Sequence, residues 1–125
     1  PLLLTEIAAG RLSRNEVQIK DGCAITVVLA AEHYPEGAKK GVPINLGGAD
    51  LTIIHAGTRR QDGRWITNGG RVLNLVARAE NLGTARLKIE TALPQVFWPG
   101  MQVRRDIGLK ALTHAMAGKT VQDAW

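Results

Sequence analysis

Residues 51–79 hold two apolar strands, LTIIHA (51–56) and RVLNLVARA (71–79), separated by fourteen residues with Asp62-Gly63 at their centre. No other stretch of the chain narrows the possible folds so far. Fourteen residues are long for a plain hairpin connection. Asp-Gly makes its own tight turn, however, so both strands can run on towards it. If Gln61 and Arg64 flank that turn, Gly57 faces Asn68 and Ala56 faces Gly69. The glycines of HAGT and TNGG then meet across the ladder. Glycine weakens a strand interior and marks a bulge or a close backbone approach. Two facing clusters therefore predict a break in the sheet surface.

The flanking sequence supplies the rest of the domain. CAITVVLAA (23–31) reads as a strand buried through Ile25, Val27 and Leu29, and Asp21-Gly22 would turn it back on EVQIK (16–20). Residues 32–50 are rich in glycine and proline, a loop with a short strand over 42–46. Asn81 can cap a helix whose apolar positions are Leu82, Ala85, Ile89, Ala92 and Leu93, with Pro94 limiting its end. QVFWPGMQV (95–103) leads through a loop into a short strand. RRDIGLKALTHAMAG (104–118) reads as a second helix beginning at Asp106, apolar at Ile107, Ala111, Leu112, Ala115 and Met116 and closed by Gly118. These elements make an α+β, mainly antiparallel domain: a small sheet flanked by two helices. At 125 residues the chain can bury one such core without staples. PLLLTEIAAGRL reads as the last turns of a helix stopped at Gly10, and the chain opens on Pro1 rather than Met. Residues 1–15 are accordingly expected to end a helix linking the domain to a longer polypeptide, 16–117 to form the domain, and 118–125 to be a loosely held tail.

Charge and composition then bound the function. The net charge of +5 points to anionic partners. The basic residues are scattered, though, and the aromatics Tyr34, Trp65, Phe97, Trp98 and Trp125 do not interleave with them as a base-stacking platform requires. A small phosphorylated ligand needs only two or three charges, and composition alone does not separate it from nucleic acid, although neither nucleic acid nor a membrane is expected as a partner. The first segment is too short, and too soon interrupted by Glu6 and Arg11, for a signal peptide or a span. Cys23 is alone, which fits a bystander thiol in the reducing cytoplasm. His33, His55 and His114 lack metal-ligand spacing, so no metal site is expected.

The chemistry concentrates in TNGGRV. Consecutive glycines expose backbone N–H groups that can bind anions, and Arg71 can add a bidentate fork to phosphate or carboxylate oxygens. Arg59, Arg60 and Arg64 lie in the same excursion, with Thr58 and Asn68 as neutral donors. The plainer reading is a glycine-rich hairpin with solvated arginines. His55 as a satisfied strand-end histidine, Asp106 as a structural partner of Arg104 or Arg105, and Lys39 and Lys40 as loop cations are plain readings of the same kind. No nucleophile–base pair or carboxylate dyad is present, so no catalytic residue is assigned.

In order and spacing, VVLAAEHYPEGAKKG, HAGT, DGRWITNGGRVLNLVA and FWPGMQVRRDIG resemble the C-terminal domain of phosphoribosylamine–glycine ligase, a family of the ATP-grasp superfamily. The resemblance covers roughly residues 16–112 and implies a partial barrel of the rudiment single hybrid motif type. It further implies an ATP-dependent carbon–nitrogen ligase in purine biosynthesis, which joins phosphoribosylamine to glycine through an acyl phosphate. ATP and Mg²⁺ or Mn²⁺ would be held by N-terminal and ATP-grasp domains of the same chain, with none bound by this segment alone. Under the resemblance, Gly69 and Gly70 amides and the Arg71 fork take the ribotide 5′-phosphate, with Thr58, Arg59 and Asn68 as partners. Lys40, Arg105 and Asp106 match family motifs without an assigned role. Ala38 stands near where the family carries an aromatic after the Tyr-Pro pair. A sister ATP-grasp purine enzyme and a free-standing basic nucleic-acid module are the alternatives.

Overall fold

The computed structural model describes residues 2–12 and 19–116. Its largest unit is a four-stranded sheet made of β1 (Cys23–Ala30), β2 (Thr52–His55), β5 (Arg71–Ala79) and β6 (Gln102–Val103), in the order β2-β5-β1-β6. Every pairing between named strands is antiparallel. A separate two-stranded arm, β3 (Thr58–Gln61) and β4 (Arg64–Thr67), closes on the Asp62-Gly63 turn. The α+β, mainly antiparallel class expected from the sequence is the one observed.

Alternation explains which face of the sheet is covered. Ile25, Val27 and Leu29 of β1 and Leu73, Leu75 and Ala77 of β5 are buried, as odd-numbered positions on strands in register should be. Against them lies α2 (Leu82–Ala92), through Ala85, Ile89 and Ala92. Its N-terminus is capped as the sequence predicts: the Asn81 side chain accepts a hydrogen bond from the Thr84 amide at 2.9 Å. A 3₁₀ turn at Leu93–Gln95, carrying Pro94, ends the helix, and Val96 and Trp98 complete the core. Each fully buried aliphatic side chain here contributes about 1.5–3 kcal/mol. On the opposite face, Thr26 and Val28 of β1 and Ile54 of β2 are exposed among the described residues.

At the N-terminus, α1 (Leu2–Ala8) stops at Gly10 (φ +63°), where the Arg11 amide donates to Glu6 O and the Gly10 amide to Ile7 O. That paired pattern is the expected glycine stop. Two expectations are corrected. The last helix, α3 (Leu109–Met116), begins three residues after Asp106, because Gly108 at φ +82° breaks the backbone first. The short strand over 42–46 is reduced to isolated bridges, Pro43 to Ile66 and Asn45 to Phe97. Most of the EVQIK strand, the closure at Gly118 and the 118–125 tail lie outside the described residues.

Candidate functional site: a glycine crossing beside Arg71

The β3–β4 register is the one read from the sequence: Gln61 faces Arg64, Thr58 faces Thr67, and the Asn68 amide donates to Gly57 O at 2.7 Å. One residue back, the pairing changes. Ala56 faces Val72, not Gly69 as expected, and its amide donates to Val72 O at 3.0 Å. The Gly57 amide donates to Arg71 O at 2.8 Å. Gly57 is therefore the switch between two ladders, bonded to both Asn68 and Arg71, and residues 69–70 are surplus on the returning arm. Among the described residues the N–H groups of Gly69 and Gly70 have no acceptor.

Space dictates glycine at the crossing. A Cβ on Gly57 would lie 2.6 Å from Arg71 O and 2.8 Å from Gly69 Cα. The glycine clusters do meet, as the sequence predicts. At Gly70 the reason is different: a Cβ there would fall 2.5 Å from Cδ2 of Tyr34, whose ring lies against the glycine.

A second irregularity aims Arg71. Leu29 pairs with Leu73 but Ala30 pairs with Arg71, so Val72 is an extra residue on β5. Such a bulge turns the side chains beyond it. Val72 and Leu73 are consequently both buried, and Arg71 emerges exposed on the open face of the sheet. Among the described residues its guanidinium has no carboxylate or other hydrogen-bond partner.

Arg71, Gly57 and Gly70 line a cavity of about 530 Å³ together with Ala56 and Asn74. Tyr34 and Val28 form its remaining wall. An anion entering it meets the Arg71 guanidinium and lies beside Gly70, whose amide has no acceptor among the described residues. Of the residues expected to act together, the structure groups Gly70 and Arg71 in the cavity lining, with Gly69 packed behind against Gly57. Thr58, Arg59 and Asn68 do not line it. Thr58 Oγ1 is bonded to His55 Nδ1 at 3.0 Å, and Arg59 donates to Gln61 along its own strand at 3.0 Å. On the arm, Trp65 takes His55 against its ring at 4.1 Å between centroids and the Arg60 guanidinium at 5.2 Å.

Two residues of the site lie in the quoted motifs but have no role assigned from the sequence. Tyr34 is a wall, and Thr67 is a fully buried tie: its Oγ1 donates to Lys39 O and accepts from the Val42 amide. Nearby, Lys39 Nζ lies 2.7 Å from Glu32 Oε2, and this hydrogen bond holds the Glu32 carboxyl below its ordinary value. A second cavity of about 440 Å³ shares Val28 and Tyr34 with the first and adds Pro35, Arg104 and Ile107. Arg104 at its edge is bonded through Nε and Nη2 to Asp106, which lowers the Asp106 carboxyl and raises the guanidinium. Asp106 thus pairs with Arg104, one of the two arginines its plain reading names. Arg86 on α2 holds the same loop by donating to the Arg105 and Ile107 carbonyls. No grouping of three His, Cys, Asp or Glu suited to a metal occurs among the described residues. No helix there is long and apolar enough to cross a membrane.

Known proteins resemble this chain in sequence and fold. Residues 24–110 match the family model described as the phosphoribosylglycinamide synthetase C domain. A phosphoribosylamine–glycine ligase of Mesorhizobium japonicum is 37% identical over 120 residues, covering 93% of this chain and 28% of that protein. One from Mycobacterium tuberculosis is 41% identical over 111 residues, with 87% and 26% covered. The crystal structure of the Thermotoga maritima phosphoribosylamine–glycine ligase matches with a TM-score of 0.76 and 36% identity, over 84% of this chain and 26% of that one. The chain spans about a quarter of the length of these relatives. With the family model matched over residues 24–110 and relatives 37–41% identical over most of its length, the chain belongs to the phosphoribosylglycinamide synthetase C-domain family.

Proposed function

We propose that this chain is the C-terminal part of a cytoplasmic phosphoribosylamine–glycine ligase, and that its glycine crossing holds the 5′-phosphate of phosphoribosylamine. One observation carries the assignment: Arg71, whose guanidinium has no partner among the described residues, is turned by the Val72 bulge into a cavity that Gly57 and Gly70 also line. Family membership supports the substrate, since the relatives are named for it. Gly69 and Gly70 would donate their free amides to the phosphate and Arg71 its fork. Thr58, Arg59 and Asn68 would act from the adjoining arm only if it bends towards the ligand.

The residues that hold the phosphate would not touch the bond being made. Gripping a remote, non-reacting group fixes the position of the sugar amine, and that binding energy lowers the barrier at the reacting centre. ATP and a divalent cation belong to the whole ligase. The described residues offer no group of three His, Cys, Asp or Glu side chains to hold the metal.

Arg71→Ala in the full-length ligase tests the assignment. Loss of a charge-assisted pair costs roughly 1.5–3 kcal/mol, so KM for phosphoribosylamine should rise about tenfold or more while KM for ATP stays put. An unchanged KM in a folded variant would remove Arg71 from the phosphate site.

A further inference from the structure

Tyr34 holds a position that the phosphate assignment leaves unused. Its ring fills the space over Gly70, with Cδ2 and Cε2 at 2.5 and 2.9 Å from where a Cβ would stand. It lines both cavities on the open sheet face. The side chain remains 38% exposed, and its hydroxyl has no hydrogen-bond partner among the described residues.

The loop that carries it is pinned to the same backbone that forms the crossing. The Ala31 amide donates to Gly70 O at 2.8 Å, Thr67 Oγ1 donates to Lys39 O at 2.9 Å, and the Gly41 amide donates to Thr67 O at 2.7 Å. Inside the loop, the Gly37 amide donates to His33 O, and the Lys39–Glu32 ion pair closes the ends. Tyr34 is thus a large aromatic held in place by ties on either side of it while much of its surface stays open. An aromatic ring so placed presents a flat apolar face, suited to the C–H side of a ligand that is otherwise polar.

We propose that Tyr34 is the specificity-determining residue of this pocket, its ring taking the sugar of a sugar phosphate whose phosphate lies against Gly69, Gly70 and Arg71. The inference rests on the phosphate assignment above and adds the part of the ligand that assignment does not reach. A pentose has C–H groups to lay on the ring; inorganic phosphate has none. Specificity is a difference between two affinities, and Tyr34 supplies that difference while Arg71 supplies what both ligands share.

The test is inhibition of the full-length ligase, competitive against phosphoribosylamine, by ribose 5-phosphate and by inorganic phosphate. Tyr34→Leu keeps an apolar cover on Gly70 but removes the flat face. It should raise the inhibition constant of ribose 5-phosphate about tenfold and leave that of phosphate within about twofold, and Tyr34→Phe should track the wild type for both. Equal weakening of both ligands by Tyr34→Leu would make the ring a mere cover for Gly70 and overturn the inference, as would no change in either. Arg71→Ala separates the two failures. If it weakens both ligands while Tyr34→Leu alters neither, the phosphate assignment stands and the Tyr34 role falls. If Arg71→Ala alters neither, both fall.

Discussion

Gly57 and Gly70 are each glycine for lack of room, yet what occupies the room differs, and so should the effect of replacing them. At Gly57 the obstacles are main-chain atoms, Gly69 Cα and Arg71 O, in the connection into β5 and at its first residue. They cannot yield without breaking the ladder, so Gly57→Ala should destabilise by about 1–3 kcal/mol or more. At Gly70 the obstacle is the far more movable Tyr34 ring. Gly70→Ala should therefore cost less, and should show itself as weaker sugar-phosphate binding. Urea denaturation midpoints for the two variants check this, and equal losses would count against it. Facing glycines were legible in the sequence because the Asp62-Gly63 turn fixes the register of the arm. The cause at Gly70 was not, because Tyr34 reaches it only through tertiary packing from a distant loop.

Elements show the same division. The strands at 23–30 and 71–79, the capped helix at 82–92 and the Gly10 stop follow from periodicity and capping residues. The bulge at Val72 has no glycine or proline to announce it; it arises from how β5 meets Leu29 and Ala30. Without it, simple alternation would put Arg71 on the core side with Leu73. The shift of ladder at Gly57 was foreseen as a break, but its extent depends on β2 pairing with β5. The loop over 32–41 carries a pH dependence of its own. Because Lys39 lowers the Glu32 carboxyl below 4.5, the ion pair stabilises the fold above that value and is lost as pH falls through the lowered one. Lys39→Met should therefore melt below the wild type at pH 7, and the gap should close on acidification past pH 4.5. A gap that persists at pH 2–3 would contradict the Glu32 pairing.

On the scale of the molecule, one sheet separates a core from a site. α2 and the Trp98 region cover the inner face, while the outer face keeps two adjoining cavities around Val28 and Tyr34. Family membership was readable from four ordered motifs, since spacing constrains far more than any single glycine pair. Placement of Thr58, Arg59 and Asn68 was not, because the arm carries them away from the cavity lining. The central claim is that free glycine amides and Arg71 form an anion site, and selective ¹⁵N-glycine labelling of the full-length polypeptide tests it most directly. On adding ribose 5-phosphate, the Gly69 and Gly70 amides should shift strongly, and Gly63 at the tip of the arm should stay still. Arg71→Ala should abolish the response. Shifts at Gly63 with Gly69 and Gly70 unmoved would place the anion on the arginines of the arm and contradict the account.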